Sequence, residues 1–188
     1  MVSTKLTLAD YLNLETDYEG RCEFVDGEII KMPPESPQNV LITMFLMAQF
    51  FKRVPFDWVR NNTEIIVANR VRIPDVMILG DELSAALDES RRSTITEEMP
   101  APLLVVEVVS PGKANEDRDY RYKRSEYGAR GIPDYWIVDP EKQMVSVLTL
   151  VDGWYEVDEF VGDAQIRSAL FSDLALTAAQ VLNPKEGH

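Results

Sequence analysis

The chain has 188 residues, 45% of them hydrophobic and 27% charged, with a formal net charge of −13. That length and apolar fraction suffice for one domain with a proper core, and the acidity repels polyanions at long range, so any nucleic-acid contact must come from a local basic patch. Cys22 is the single cysteine and His188, at the chain end, the single histidine, which excludes a disulfide framework, a zinc cluster, imidazole metal sites and any Ser-His-Asp or Cys-His mechanism.

The start, MVSTKLTLADYL, has neither the basic end nor the apolar core of a secretory signal, and the longest apolar stretch, Val40 to Phe51, is too short to span a bilayer. The expectation is a cytoplasmic protein with no membrane association. Thr7 before LADYLNL marks a capped first helix with Leu8, Tyr11 and Leu12 on one side. CEFV-DG-EIIKM is a β-hairpin signal, because Asp26-Gly27 tolerates the positive φ of a type I′ turn. After prolines 33, 34 and 37, a helix is expected from about Gln38 to Arg53. It is apolar nearly all round, so it should be covered on more than one side, by a sheet and by a second copy in a homodimer.

Trp58 to Ala68 and Ile73 to Leu79 read as strands around a turn at Asn69 and Arg70, followed by a polar, partly helical insertion from Asp81 to Ser93. Leu103 to Val109 is short, β-branched and stopped by Pro111-Gly112, the pattern of a strand buried on both faces. A polar helix from Asn115 to Arg130 ends at Gly131, DYWIV (134–138) is a further strand, and MVSVLTL, Asp152-Gly153 and WYEVDEFV form a second hairpin before a short helix near Thr177 to Leu182. The expected fold is α/β: one domain over 1–188, a mixed sheet flanked by helices with an αβββαβ core at about 38–139, and hairpins at both ends. The crossover helix implies that the strands on either side of it are parallel.

Within this frame Glu107 stands out, because an ionised carboxylate inside an apolar strand is costly unless a partner or a metal meets it. No Walker pattern fits Pro111-Gly112-Lys113 and no GxGxxG follows a strand, so a nucleotide cofactor is not expected. What remains is carboxylate chemistry. Asp75 opens the strand RIPDVMIL; it serves equally as a plain strand start after Pro74, but if the two strands are neighbours it converges with Glu107. Two such carboxylates repel unless a proton or cation lies between them, and oxygen-only ligation suits Mg2+ or Mn2+, with the Val108 carbonyl able to complete the shell. In the following helix Asp119, Lys123 and Tyr127 recur every four residues. They form either an ordinary solvated Asp-to-Lys pair or a cation supporting the metal site. From Lys113 to Gly131 six basic residues meet four acidic ones, the chain's only basic concentration, which points to a phosphate-bearing ligand there.

Taken together, CEFVDGEI, RIPDV, LLVVEVVSP, DYRYKRSEY and GIPDYWIVDP resemble the PD-(D/E)XK nuclease superfamily. They most resemble its bacterial family described as "putative restriction endonuclease", formerly a domain of unknown function, over about Leu6 to Leu182. The resemblance implies a restriction-endonuclease-like core and Mg2+-dependent cleavage of DNA, with Asp75, Glu107 and Lys123 catalytic. Asp75, Glu107 and the Val108 carbonyl would bind the metal; Glu23 would be a supporting carboxylate, and Asp119 and Tyr127 would orient Lys123. The superfamily lysine two residues after the glutamate is replaced by Val109, and Lys123 in the next helix matches its displaced equivalent. Gln38 and Asn39 stand where relatives often carry histidine. Two other readings stay open: a catalytically inactive nuclease-fold module that binds DNA or a protein partner, and a structural domain in which Glu107 is neutral or bridged to Lys123.

Overall fold

The structure, a computed structural model, describes residues 5–14 and 20–185; His188 lies outside them. α1 (Leu8–Leu12) starts at Thr7, whose hydroxyl accepts from the Asp10 amide while the Asp10 carboxylate accepts from the Thr7 amide, a reciprocal cap for two orphaned donors. β1 (Cys22–Val25) and β2 (Glu28–Lys31) form the hairpin, with Asp26 and Gly27 both at positive φ. α2 (Pro37–Phe50) is capped by Ser36 with Pro37 at its first turn, and it ends three residues before the expected stop. Only one face of α2 is covered: Ile42, Leu46 and Phe50 are buried, whereas Val40, Met44 and Phe51 are exposed.

The expected strand over 58–68 divides in two. β3 (Val59–Arg60) is short, and Asn62, left-handed at φ 52°, turns the chain away before β4 (Glu64–Val67) opens a different sheet. The next turn is Ala68-Asn69, both at positive φ, so Arg70 belongs to β5 (Arg70–Arg72) and not to the turn. The expected strand over 73–79 is cut as well. Pro74 has no N–H to give a ladder, and beyond it β6 (Val76–Ile78) pairs in the other sheet. α3 (Asp81–Asp88) and β7 (Thr94–Ile95) form the polar insertion, and β8 (Leu104–Val108) carries Glu107.

From Lys113 to Arg130 the chain is helical but not uniform. α4 (Lys113–Asp117) widens into a π-helical turn (Arg118–Lys123) before α5 (Arg124–Arg130), which Gly131 closes in the left-handed region at φ 80°. β9 (Asp134–Asp139), β10 (Met144–Val151), β11 (Trp154–Val161) and α6 (Ala178–Leu182) complete the order.

The strands form two mixed sheets, β2-β1-β5-β4-β7 and β11-β10-β9-β8-β6-β3, in place of the one sheet expected. Neither hairpin is an appendage: β1 pairs with β5 and β10 with β9. β8 and β9, joined by the crossover helix, are parallel as expected. One face of the six-stranded sheet packs Val106, Val108 and Trp136 against Ile42, Leu46 and Phe50 of α2 and Val181 of α6. The other packs Met77, Val105 and Tyr135 against Ile65 of the second sheet and Tyr127 of α5. The space between the sheets is where the polar residues of interest gather.

Candidate active site

β6 and β8 are antiparallel, and Val76 pairs with Val106. Asp75 is the residue just before β6, so it lies beside the end of β8 that carries Glu107. The Asp75 amide donates to the Val106 carbonyl at 3.2 Å, and its Oδ2 accepts from the Val108 amide at 2.7 Å. The chain's passage between sheets at Pro74 thus ties the Asp75 carboxylate to the end of β8.

Glu107 is buried and fully dressed. Tyr127 donates its hydroxyl to Oε1 at 2.6 Å, and Lys123 Nζ lies 2.8 Å from Oε2. The structure therefore sends Tyr127 to Glu107 and not to Lys123. The Lys123 ammonium, only 1% exposed, also lies 3.3 Å from Glu23 Oε1 and 3.6 Å from Asp119 Oδ1. Asp119 and Lys123 sit in the π turn, whose wider winding brings both into the interior, and the Tyr135 hydroxyl donates to the Asp119 carbonyl there. Glu23 is anchored by Arg72 at 2.7 Å; Arg72 binds Glu126 through two bonds of 2.8 Å, and Arg118 grips Asp119 at 2.9 and 3.2 Å.

Asp75 is dressed more loosely. Arg21 Nη1 lies 3.1 Å from its Oδ1 and 3.3 Å from Glu35, while Nη2 donates to the Ile73 carbonyl. Asn39, buried in the first turn of α2, aims its amide nitrogen at the carbonyls of Val109 (3.3 Å) and Val108 (3.5 Å) and at Glu35. It braces the end of β8, while Gln38 faces outward near the Leu182 carbonyl. A cleft of about 250 Å3 reaches this side, lined by Arg21, Glu35, Asp75, Met44 and Asn61 among others, so solvent and ligands meet the site at Asp75.

The electrostatics follow from this arrangement. Burial opposes ionisation of Glu23, but Lys123 and Arg72 outweigh it and bring its carboxyl down to about 2. At Glu107 burial wins over Lys123, and the charges of Asp75, Asp119 and Glu23 add to it, pushing the carboxyl up to about 7. Lys123 is buried, yet Glu107, Glu23 and Asp119 hold it above the ordinary lysine value. Burial and Asp75 raise Glu35. Two ion-pair groups meet here: Arg21 holds Glu35 and Asp75, while Lys123, Arg72 and Arg118 hold Glu23, Glu107, Asp119 and Glu126, so with all ionised each group carries −1 and the two together −2. Arg70, shared by Glu126 and Asp26, leaves that difference unchanged.

These donors fit a hard divalent cation. They are oxygens only, the excess charge is of the right sign and size, and the Lys123 cation at Glu107 is shared with Glu23 and Asp119. Among the described residues no three acidic, histidine or cysteine side chains converge as a metal cage. An ion that keeps several waters and takes one or two carboxylates is the kind such a site accepts, which is the habit of Mg2+.

Arg21, Glu35, Arg72, Arg118 and Glu126 were not singled out from the sequence. Arg72 carried the same signal as Glu107, a charge between apolar neighbours in Val71-Arg72-Ile73; Arg21 and Glu35 lie in loop-like stretches with no such signal.

The Uma2 family model, described as "Putative restriction endonuclease", matches residues 8–179. Among solved structures the chain is similar to "a putative nuclease belonging to DUF820 from Anabaena variabilis ATCC 29413". The two are 18% identical, with a TM-score of 0.71 over 94% of this chain and 97% of that one, a likeness of fold. No curated protein matches the chain.

Proposed function

Since the chain belongs to the Uma2 family, described as "Putative restriction endonuclease", we propose that it is a single-domain, Mg2+-dependent endonuclease that hydrolyses DNA phosphodiester bonds, with Mn2+ able to replace Mg2+. The observation that carries this reading is that the Asp75 carboxylate is tied to the Val108 amide, one residue from Glu107, at a place where carboxylates outnumber cations by two. Asp75, Glu107 and the Val108 carbonyl would hold the ion. Bound Mg2+ supplies the charge that polarises a phosphate and acidifies an attacking water.

The chain's own residues prepare that site. Tyr127 fixes one Glu107 oxygen and Lys123 the other, so the carboxylate is held in one orientation. Lys123 places a permanent positive charge beside the reacting centre. Because it is buried, it acts on a developing phosphate charge through space. Glu23, itself anchored by Arg72, and Asp119, gripped by Arg118, keep the ammonium in place. Arg21 neutralises Asp75 in the absence of a metal and has to yield Oδ1 to one.

The exposed Phe51 and Phe56, stacked at 5.1 Å beyond the end of α2, support a homodimer whose two sites would cut two strands. No helix among the described residues is long and apolar enough to cross a membrane, which accords with a cytoplasmic setting. A second reading, the catalytically inactive nuclease-fold module, is favoured by one observation: Lys123 already satisfies Glu107, and the residue two beyond Glu107 is the buried Val109.

Nicking of supercoiled plasmid separates the two. The nuclease reading expects nicking that requires Mg2+ or Mn2+, is abolished in Asp75→Ala and falls sharply in Lys123→Ala. DNA binding without nicking under every divalent cation would select the inactive module.

A further inference from the structure

The candidate active site absorbs only part of the basic segment 113–131. Lys123 and Arg118 turn inward onto carboxylates, and Arg130 is spent on the carbonyls of Thr96 and Met99. Arg121 and Arg124 line a separate cleft of about 440 Å3 between α5 and the β10–β11 hairpin.

Three features give that cleft a chemical character. Its cations are available: Arg121 is 71% exposed with a loose 3.7 Å contact to Asp117, and Arg124 is fixed in place by donating to the Tyr155 carbonyl at 3.0 Å. Its wall is aromatic: Trp154, 81% exposed, follows the Asp152-Gly153 turn, and Tyr155 packs under the helix. The close approach of helix to hairpin depends on Gly128, where a Cβ would come within 3.3 Å of the Tyr155 ring. Among the described residues none lining the cleft is acidic, although the chain carries −13. Asp152, Glu156 and Asp158, exposed along the hairpin, lie outside the lining. An open indole beside two arginines is the combination that binds single strands, one supplying a stacking face for a base and the others meeting the backbone.

We propose that this cleft docks a single-stranded segment of nucleic acid, with a base stacked on Trp154 and neighbouring phosphates on Arg121 and Arg124. The cleft contains none of Asp75, Glu107 and Lys123, so the docking is separate from cleavage. It rests on the nuclease reading only for the choice of nucleic acid as ligand.

Fluorescence anisotropy of an end-labelled single-stranded oligonucleotide, titrated with the full chain in EDTA, tests this without any metal chemistry. Trp154→Ala should weaken binding about tenfold, within the range for loss of one stacked base. Arg121→Ala should reduce the slope of log affinity against log salt by about 0.7, one phosphate contact on a single strand. Ile30→Ala removes an exposed apolar side chain elsewhere and should change neither. The titration contains EDTA and reads binding alone, so a failed nicking assay leaves this result standing. Parent-like binding by both Trp154→Ala and Arg121→Ala, or no binding by the parent, overturns the proposal. So does a mononucleotide that competes as well as the oligonucleotide.

Discussion

Asp75 and Glu107 lie close together where β6 meets β8, yet one is free to change partners and the other is locked. Every Glu107 oxygen has a buried partner, Tyr127 on one side and Lys123 on the other, and behind them Glu23, Arg72, Glu126 and Asp119 extend the network inward. Asp75 borders an open cleft and shares a partly exposed arginine with Glu35. The difference teaches a division of labour. The inner half is rigid because each charge removed leaves another stranded in low dielectric. The outer half can be rewired because its counter-ion is at the surface.

The inner half should break hardest. Lys123→Ala leaves Glu107 and Glu23 without their shared cation, and removal of one partner from a buried network costs about 3–5 kcal/mol. For a chain of this size that corresponds to a fall in melting temperature of roughly 10 °C, readable by calorimetry. A melting point unchanged within a degree or two would mean the ammonium is not buried among these carboxylates.

Acidity should then distinguish the two glutamates of the network. Glu23 lies near 2 in the folded chain against an ordinary 4.5, so its contribution is complete above about pH 4.5 and is lost as pH falls toward 2. Glu107 shifts the opposite way, to about 7, so the folded chain binds its proton more tightly than the unfolded chain does. Raising pH from 4.5 to 7 therefore removes stability at that position, and Glu107→Gln should reduce the slope in urea-unfolding midpoints across this window, leaving the part due to Glu35 and Asp134, which burial also raises.

Smaller effects follow from the single hydroxyl and from the outer cation. Tyr127→Phe takes one donor from Glu107, and groups that orient a metal ligand typically matter about 10- to 100-fold in metal affinity or activity. The same variant should change the turnover of plasmid nicking more than it changes DNA binding. Arg21→Ala should lower stability by about 1 kcal/mol or less, because the residue is 26% exposed, while divalent-cation affinity rises as a competitor for Asp75 disappears. Weaker cation binding in that variant would make Arg21 a supporter of the site and erase the contrast between its halves.

Much of this was legible in the sequence where a local rule acts alone. The Asp26-Gly27 and Asp152-Gly153 hairpins, the Gly131 helix stop and the both-face-buried strand around Glu107 follow from turn geometry and composition, and the structure has them. The division into two sheets was not legible, because it depends on Asn62 leaving the ordinary backbone region and on the chain changing sheets at Pro74. Lys123 at four-residue spacing from Asp119 and Tyr127 was visible as a face of a helix, but not the π turn that buries it. Arg72 and Glu126 lie in different elements of the chain, and nothing local links a strand arginine to a helix glutamate 54 residues later. The apolar circumference of α2 overstated its burial, since Val40, Met44 and Phe51 are exposed.

Isothermal titration of the metal-free chain with Mn2+ addresses the shared role of Asp75 and Glu107 most directly. The expected result is uptake by the parent near neutral pH that is lost in Asp75→Ala and equally lost in Glu107→Ala, with both variants still folded by circular dichroism. Mn2+ binding by folded Glu107→Ala as tight as by the parent would contradict it, and the acid in the buried strand would then be a structural partner of Lys123 alone.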